Sequence, residues 1–340
     1  FNKNLPKIEK INDFQIKRTH VLWAIYLFFI NPSMYIQMLR DKHDIIHVIG
    51  LRSFQAFIAT LISKKKKIPL IISDQGGLTT HPDIHEASTL KRILIKMQFP
   101  IIKYILRQAD IILAANEYER DIFLKLCDSS KIRIVRNGID LDELKTSNID
   151  FKRKYSIKNN FILFLGRFHK VKGVDVLLHS IHEIKNNPLL QNIDFVILGS
   201  DFGYEKQMLQ LIDELKINNK VHVIKNLPRN DVIAAYNECE FLVLPSRWEL
   251  SPLTPLEGFA FKKAVISTTA HGIPYTIKND INSILVEPSN SHELARAIIT
   301  LIQDAKFCEK LGNSGYESVH ETQNADSMVK KILEIYQDLK

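Results

Sequence analysis

Ten short apolar runs recur along the chain with longer amphipathic stretches between them, and few of these runs alternate with polar residues. They are Ile45–Ile49, Pro69–Ser73, Ile111–Ala114, Ile132–Val135, Phe161–Leu165, Phe195–Leu198, Val221–Ile224, Phe241–Leu244, Ala264–Ser267 and Ser283–Val286. Helical spacing fills most of the gaps, as in Gly173–Lys185, Glu205–Leu215 and Asp231–Asn237. Strands that alternate with helices predict an α/β chain with parallel sheets. Strands without polar alternation predict sheets covered on both faces.

A length of 340 residues accommodates two domains. The polar stretch from Asp142 to Asn160 is the expected linker, and a second set of βα units starts at Phe161. Met328, Ile332, Ile335 and Leu339 carry helical spacing at the carboxyl end. Val21–Ile30 is the most apolar stretch, too short to span a bilayer, and reads as a core helix. Three cysteines without CxxC spacing argue against a disulfide framework and against a zinc site, and fit a reducing cytoplasm. The net charge of +8 suits a phosphorylated ligand or an anionic membrane surface. It also suits nucleic acid, but no aromatic-rich basic motif accompanies it, so nucleic acid is not an expected partner.

Chemistry concentrates at strand ends. Glu249 and Glu257 flank the start of a helix that follows the run Phe241–Leu244. Carboxylates accept paired hydrogen bonds from sugar hydroxyls, and a helix N-terminus attracts phosphate. The same residues also form a capping box, with Thr254 as N-cap, Pro255 first in the helix and Glu257 reaching back. Gly166, Arg167, Lys172 and Gly173 follow the run Phe161–Leu165, with Gly166 expected to permit a tight turn. Arg167 and Lys172 then lie at the carboxyl end of a parallel strand, where such sheets bind ligands. Gly199, Asp201 and Gly203 follow the next run, and Asn137-Gly138-Ile139-Asp140 follows another. Each alone also fits an ordinary turn.

In order, G-R-x(4)-K-G, strand-Gly-x-Asp and P-S-x(2)-E-x(7)-E resemble the carboxyl-terminal domain of retaining GT-B glycosyltransferases, family 4 (group 1). Asn137–Asp140 resembles that family's signature before the linker. The resemblance implies two Rossmann-like domains with parallel sheets facing a cleft. Residues 1–150 would be the acceptor-side domain and 151–322 the nucleotide-sugar domain, with 323–340 a helix packing back on the first. It implies transfer of a sugar from a UDP- or GDP-sugar to a glycan or lipid-linked acceptor with retention, without metal or other cofactor. Arg167 and Lys172 would hold the diphosphate, Glu249 the sugar, and Glu257 the ribose. Gly166, Gly199 and the amides of Leu253 and Thr254 would complete the donor site.

The pattern departs from the family at several points. Leu250 and Pro252 stand where the family usually has glycines, and Pro252 has no N–H to donate. Tyr275 stands where the family often has Glu. Gln75, beside Gly76, occupies the position of a frequent family histidine, and His81 and His85 lie nearby. Gln75, Gly76 and His81 are therefore the acceptor-side candidates. The first glycine is Gly50, so the first strand and glycine loop of the amino-terminal domain are expected to be missing. The missing loop and Gln75 raise the alternative of a catalytically silent sugar-nucleotide-binding subunit; a sugar-nucleotide epimerase on the same architecture is a second alternative. Arg92, Lys96, Lys103 and Arg107 form a basic stripe on an apolar helix interrupted by Pro100. It reads either as a solvated cationic face or as a peripheral contact with an anionic membrane.

Overall fold

A computed structural model describes residues 5–25, 28–76, 89–145 and 147–339, with the backbone alone for 25, 28, 90–92 and 94. The chain divides into two compact units. One comprises Phe1–Ala114, Glu119–Ile134 and Glu334–Lys340; the other comprises Ala115–Tyr118 and Val135–Leu333.

The first unit opens with two antiparallel ribbons. β1 (Ile8–Ile11) pairs with β2 (Phe14–Lys17), and β3 (Trp23–Ile25) pairs with β4 (Phe28–Ile30). The second ribbon replaces the core helix expected over Val21–Ile30. Its Trp, Ile and Phe residues favour pleated backbone. Leu22 and Trp23 remain 70% and 66% exposed, so this is not a buried core element. After α1 (Ser33–Arg40) come β5 (Ile46–Ile49), α2 (Phe54–Lys66), β6 (Leu70–Ser73), α3 (Thr89–Gln108), β7 (Ile111–Ala114), α4 (Glu117–Phe123) and β8 (Ile132–Ile134). β5 to β8 form a parallel sheet in sequence order. β6 is buried along its whole length, as its unbroken Leu-Ile-Ile run requires. Ser53 caps α2 by accepting from Ala56 N, and Lys67 closes the helix in the left-handed conformation. His47 ties the carboxyl-terminal segment to this unit: Nδ1 lies 2.6 Å from Tyr336 Oη, and Nε2 lies 2.8 Å from Ser73 Oγ.

The second unit begins before the expected linker. Ile139, Leu144, Phe151 and Ile157 are buried against Phe161, Ala235 and Tyr236 in one core. The polar residues of this stretch serve as anchors. Asp150 caps α5 (Phe151–Lys154), and Glu238 accepts from the backbone N–H groups of Phe151 and Lys152 at 2.6 and 3.0 Å. Next come β9 (Asn160–Leu165), α6 (Val174–Ile184), β10 (Ile193–Gly199), α7 (Glu205–Leu215), β11 (Val221–Lys225), α8 (Arg229–Glu238) and β12 (Leu242–Val243). Then follow α9 (Leu253–Ala260), β13 (Val265–Thr268), α10 (Ile273–Thr276), β14 (Ser283–Val286), α11 (Ser291–Gln303), α12 (Ala305–Glu321) and α13 (Ala325–Asp338). The parallel sheet has the order β11-β10-β9-β12-β13-β14. Strand order therefore reverses between β9 and β12. Open α/β sheets bind ligands outside the carboxyl ends of the strands at such a switch point.

Candidate active site

The loops leaving β9 and β12 enclose a pocket of about 200 Å³ at this switch point. Gly166, Arg167, Lys172, Glu249 and Thr254 all line it, together with Ser246 and Ser267. These residues come from three separate stretches of sequence, and the sheet order brings them together.

The glycines act differently from the sequence expectation. Gly166 is not in the left-handed region, and a Cβ there would meet the Phe164 ring at 3.4 Å, an ordinary contact. Gly173 carries the special conformation of this loop, with φ 69°, and a Cβ there would lie 2.0 Å from Pro245 O. Gly199 is outside the pocket lining; its missing Cβ makes room for Gly166 O, which would be 1.9 Å away. Gly173 and Gly199 thus let three loops approach one another. Gly138 likewise lets its strand end cross Asn324, whose carbonyl oxygen would be 2.1 Å from a Cβ.

Lys172 Nζ donates to Glu249 Oε1, and Ser246 Oγ donates to the same oxygen at 3.1 Å. The two charged side chains keep only 18% and 15% of their surface exposed. Arg167 is exposed, with its guanidinium carbon 5.0 Å from the centroid of the Phe202 ring. Arg167 therefore keeps hydrogen-bond donors for an anion while its flat face rests on an aromatic one.

The capping-box reading fails. α9 starts at Leu253 with Pro252 as N-cap, and no side chain caps it. Glu257 instead accepts from Arg229 Nη2 at 2.6 Å and from Tyr236 Oη at 2.7 Å. Hydrogen bonding to Glu257 raises the Arg229 pKa. Burial, with Glu257 beside it, pushes the Tyr236 hydroxyl well above its ordinary value. A helix leaves four N–H groups free at its start. Pro252 and Pro255 occupy two of those positions, so Leu253 and Thr254 supply the remaining amides. Neither Glu257 nor Leu253 lines the pocket.

On the first unit, Gln75 and Gly76 both adopt positive φ, 55° and 94°, after β6. Gly76 N donates to Glu119 Oε1 at 3.3 Å. Gln75 is exposed, while His81 and His85 lie outside the described residues. Sequence reasoning missed Ser246, Arg229 and Tyr236. Ser246 lies inside the P-S-x(2)-E motif and was available to it. Arg229 and Tyr236 reach Glu257 only through the packing of α8 on α9, which no local pattern announces.

A two-unit α/β protein with parallel sheets and a pocket at the strand-order switch that holds Arg167, Lys172 and Glu249 belongs to the class of α/β proteins that bind ligands at the carboxyl ends of their strands. Family comparison narrows it. The family model for glycosyl transferases group 1 matches residues 146–318, and that for Glycosyltransferase Family 4 matches residues 3–143. The chain belongs to the group 1, family 4 glycosyltransferases, which have the GT-B fold. An uncharacterized glycosyltransferase of Methanocaldococcus jannaschii is 28% identical over 268 residues, 77% of this chain and 67% of that protein. The Escherichia coli UDP-Gal:alpha-D-GlcNAc-diphosphoundecaprenol alpha-1,3-galactosyltransferase is 23% identical over 320 residues, 90% of this chain and 78% of that one. Coverage varies: a second Methanocaldococcus jannaschii glycosyltransferase is matched over 54% of its length. Among solved structures, sucrose-phosphate synthase from Thermosynechococcus elongatus superposes with TM-score 0.79 at 17% identity, covering 99% of this chain and 86% of that one. Anabaena HepE in complex with UDP-glucose superposes with TM-score 0.73 at 18% identity, covering 90% of this chain and 81% of that one.

Proposed function

We propose that this protein transfers a sugar from a nucleoside-diphosphate sugar to a glycan or lipid-linked acceptor with retention of anomeric configuration. The carrying observation is the convergence of Arg167, Lys172, Glu249 and Thr254 on one pocket at the strand-order switch. Lys172 and Arg167 hold the diphosphate and stabilise the charge that develops on the departing nucleoside diphosphate. These two cations take the place a metal fills in other transferases. The Leu253 and Thr254 amides add the helix-start contribution. Glu257, reached by Arg229 and Tyr236, binds the ribose hydroxyls. Glu249 contacts the donor sugar. Its carboxylate is held by Lys172 and Ser246, which supports a binding and electrostatic role over that of a covalent nucleophile.

The test is turnover of UDP-, GDP- and ADP-sugars with and without glycan or lipid-linked acceptors, with the anomeric configuration of the product read by NMR. Transfer with retention supports the proposal. Donor conversion without acceptor would establish the epimerase instead, and binding without any turnover the silent subunit.

Exposed apolar residues on α3 favour the membrane contact over a plain solvated face. Ile93, Met97, Phe99 and Ile101 are 49%, 67%, 41% and 40% exposed, and Lys96, Lys103 and Arg107 share their helix. Mixed basic and apolar exposure suits an anionic bilayer surface. Among the described residues no helix is long and apolar enough to cross a membrane. Co-sedimentation with phosphatidylglycerol vesicles should fall when Lys96, Lys103 and Arg107 become Gln; unchanged co-sedimentation would refute the contact.

A further inference from the structure

The loop between β13 and α10 holds a residue with no role in the donor site described above. His271 has φ 51°, a conformation that disfavours residues with side chains. Lys67 and Lys216 adopt the same region as helix C-caps, whereas His271 ends no helix. Strained backbone of this kind persists where the surroundings over-determine it, and it clusters at ligand sites.

The surroundings are specific. Gly272 N donates to Glu249 O at 3.0 Å, and a Cβ on Gly272 would lie 1.7 Å from Leu250 O. The loop is therefore seated on the chain immediately after Glu249. There the imidazole meets Tyr118 edge-on, with centroids 5.3 Å apart, and Trp248 at 6.3 Å. Tyr118 Oη lies 2.9 Å from Nδ1. Nε2 has no hydrogen-bond partner among the described residues. Burial lowers the His271 pKa below its ordinary 6.5, so the ring is neutral at physiological pH. A neutral imidazole offers one donor and one acceptor. If the tyrosine hydroxyl donates to Nδ1, Nε2 is left as a donor; if it accepts, Nε2 is left as an acceptor. Either state suits a sugar hydroxyl.

Resting on the nucleotide-sugar reading above, we propose that His271 is a specificity-determining residue: its Nε2 hydrogen-bonds a hydroxyl of the transferred sugar, and Tyr118 positions the ring. The backbone strain at residue 271 separates this role from a structural one. His271→Gly relieves the left-handed strain and so offsets part of the ring contacts it removes; a loss confined to the sugar conjugate is then the mark of a binding role, whereas a structural residue would weaken conjugate and free diphosphate alike.

The experiment is calorimetric titration of the parent, His271→Gly, His271→Asn and Tyr118→Phe with UDP and GDP, and with their glucose, galactose and mannose conjugates. Asn tolerates left-handed backbone and keeps the loop built if Gly loosens it. His271→Gly and His271→Asn should melt at or near the parent temperature and bind the free nucleoside diphosphate as the parent does. They should bind the preferred sugar conjugate roughly 3- to 10-fold more weakly, the loss of one hydrogen bond. Tyr118→Phe should shift the same selectivity to a smaller extent. Equal affinity of parent and variants for the sugar conjugate would overturn the proposal, as would equal losses for conjugate and free diphosphate. A parent that binds no nucleoside diphosphate at all would overturn the donor reading itself, and this inference with it.

Discussion

Gly199→Ala tests how the motif loops are held together. A Cβ at this position would lie 1.9 Å from Gly166 O and 2.8 Å from Phe168 Cε1. The first separation is roughly 1.5 Å short of ordinary contact, and the obstacle is backbone, which cannot rotate away. The Gly166 turn must therefore lift from β10, which breaks the 3.0 Å hydrogen bond from Gly166 N to Leu198 O. Overpacking costs about 1–3 kcal/mol, and the lost hydrogen bond costs about 1 kcal/mol. At ~2–4 °C per kcal/mol for a unit of this size, Tm falls by roughly 5–15 °C. Gly203→Ala is the control. Gly203 has φ 91° with nothing within 4 Å of its Cβ position, so it bears backbone strain alone. That strain costs about 1–2 kcal/mol. Differential scanning calorimetry of both variants decides the matter. If Gly199→Ala melts no lower than Gly203→Ala, the close-approach account of this glycine is wrong.

Lys172→Met removes the cation facing Glu249 while keeping the length of the side chain. With Ser246 the remaining partner of Glu249, kcat/KM should fall ~100- to 1,000-fold, and activity within tenfold of the parent would remove Lys172 from the diphosphate site. His47 is held neutral by burial, with its pKa below 6.5. The unfolded chain therefore binds the extra proton first; the stabilisation is complete above about pH 6.5 and is lost as pH falls toward the lower folded value. His47→Gln should flatten the decline of Tm as pH falls below about 6.5, and an unaltered slope would show that other groups carry the decline.

Much of the fold was legible because buried parallel strands need unbroken apolar runs, and all ten of those runs are strands. That Arg167, Lys172 and Glu249 meet at one pocket was legible because open α/β sheets bind ligands at the ends of such strands. The roles of individual glycines were not, because they depend on what crosses them. Gly199 and Gly173 meet Gly166 O and Pro245 O, and neither approach is encoded locally. The Thr254–Glu257 spacing allowed a capping box, but the helix starts two residues earlier with Pro252 at its N-cap, and Arg229 and Tyr236 claim the carboxylate. Val21–Ile30 misled because a run that is apolar throughout carries no period, and length alone does not separate a helix from a ribbon. The stretch from Asp142 to Asn160 misled in the opposite way. Its composition is polar, but Leu144, Phe151 and Ile157 are spaced to bury, and they join it to the second unit.

In the proposed complex the pocket at the β9–β12 switch holds the diphosphate, and the ribose reaches beyond it to Glu257. The most direct measurement is calorimetric titration of UDP, GDP and ADP into the parent and into Glu257→Gln, which keeps a partner for Tyr236. One nucleotide class should bind the parent, and the variant, still folded, should bind it at least tenfold more weakly. Equal affinity in the two proteins would contradict the ribose assignment, and no binding of any nucleotide to the parent would contradict the donor site as a whole.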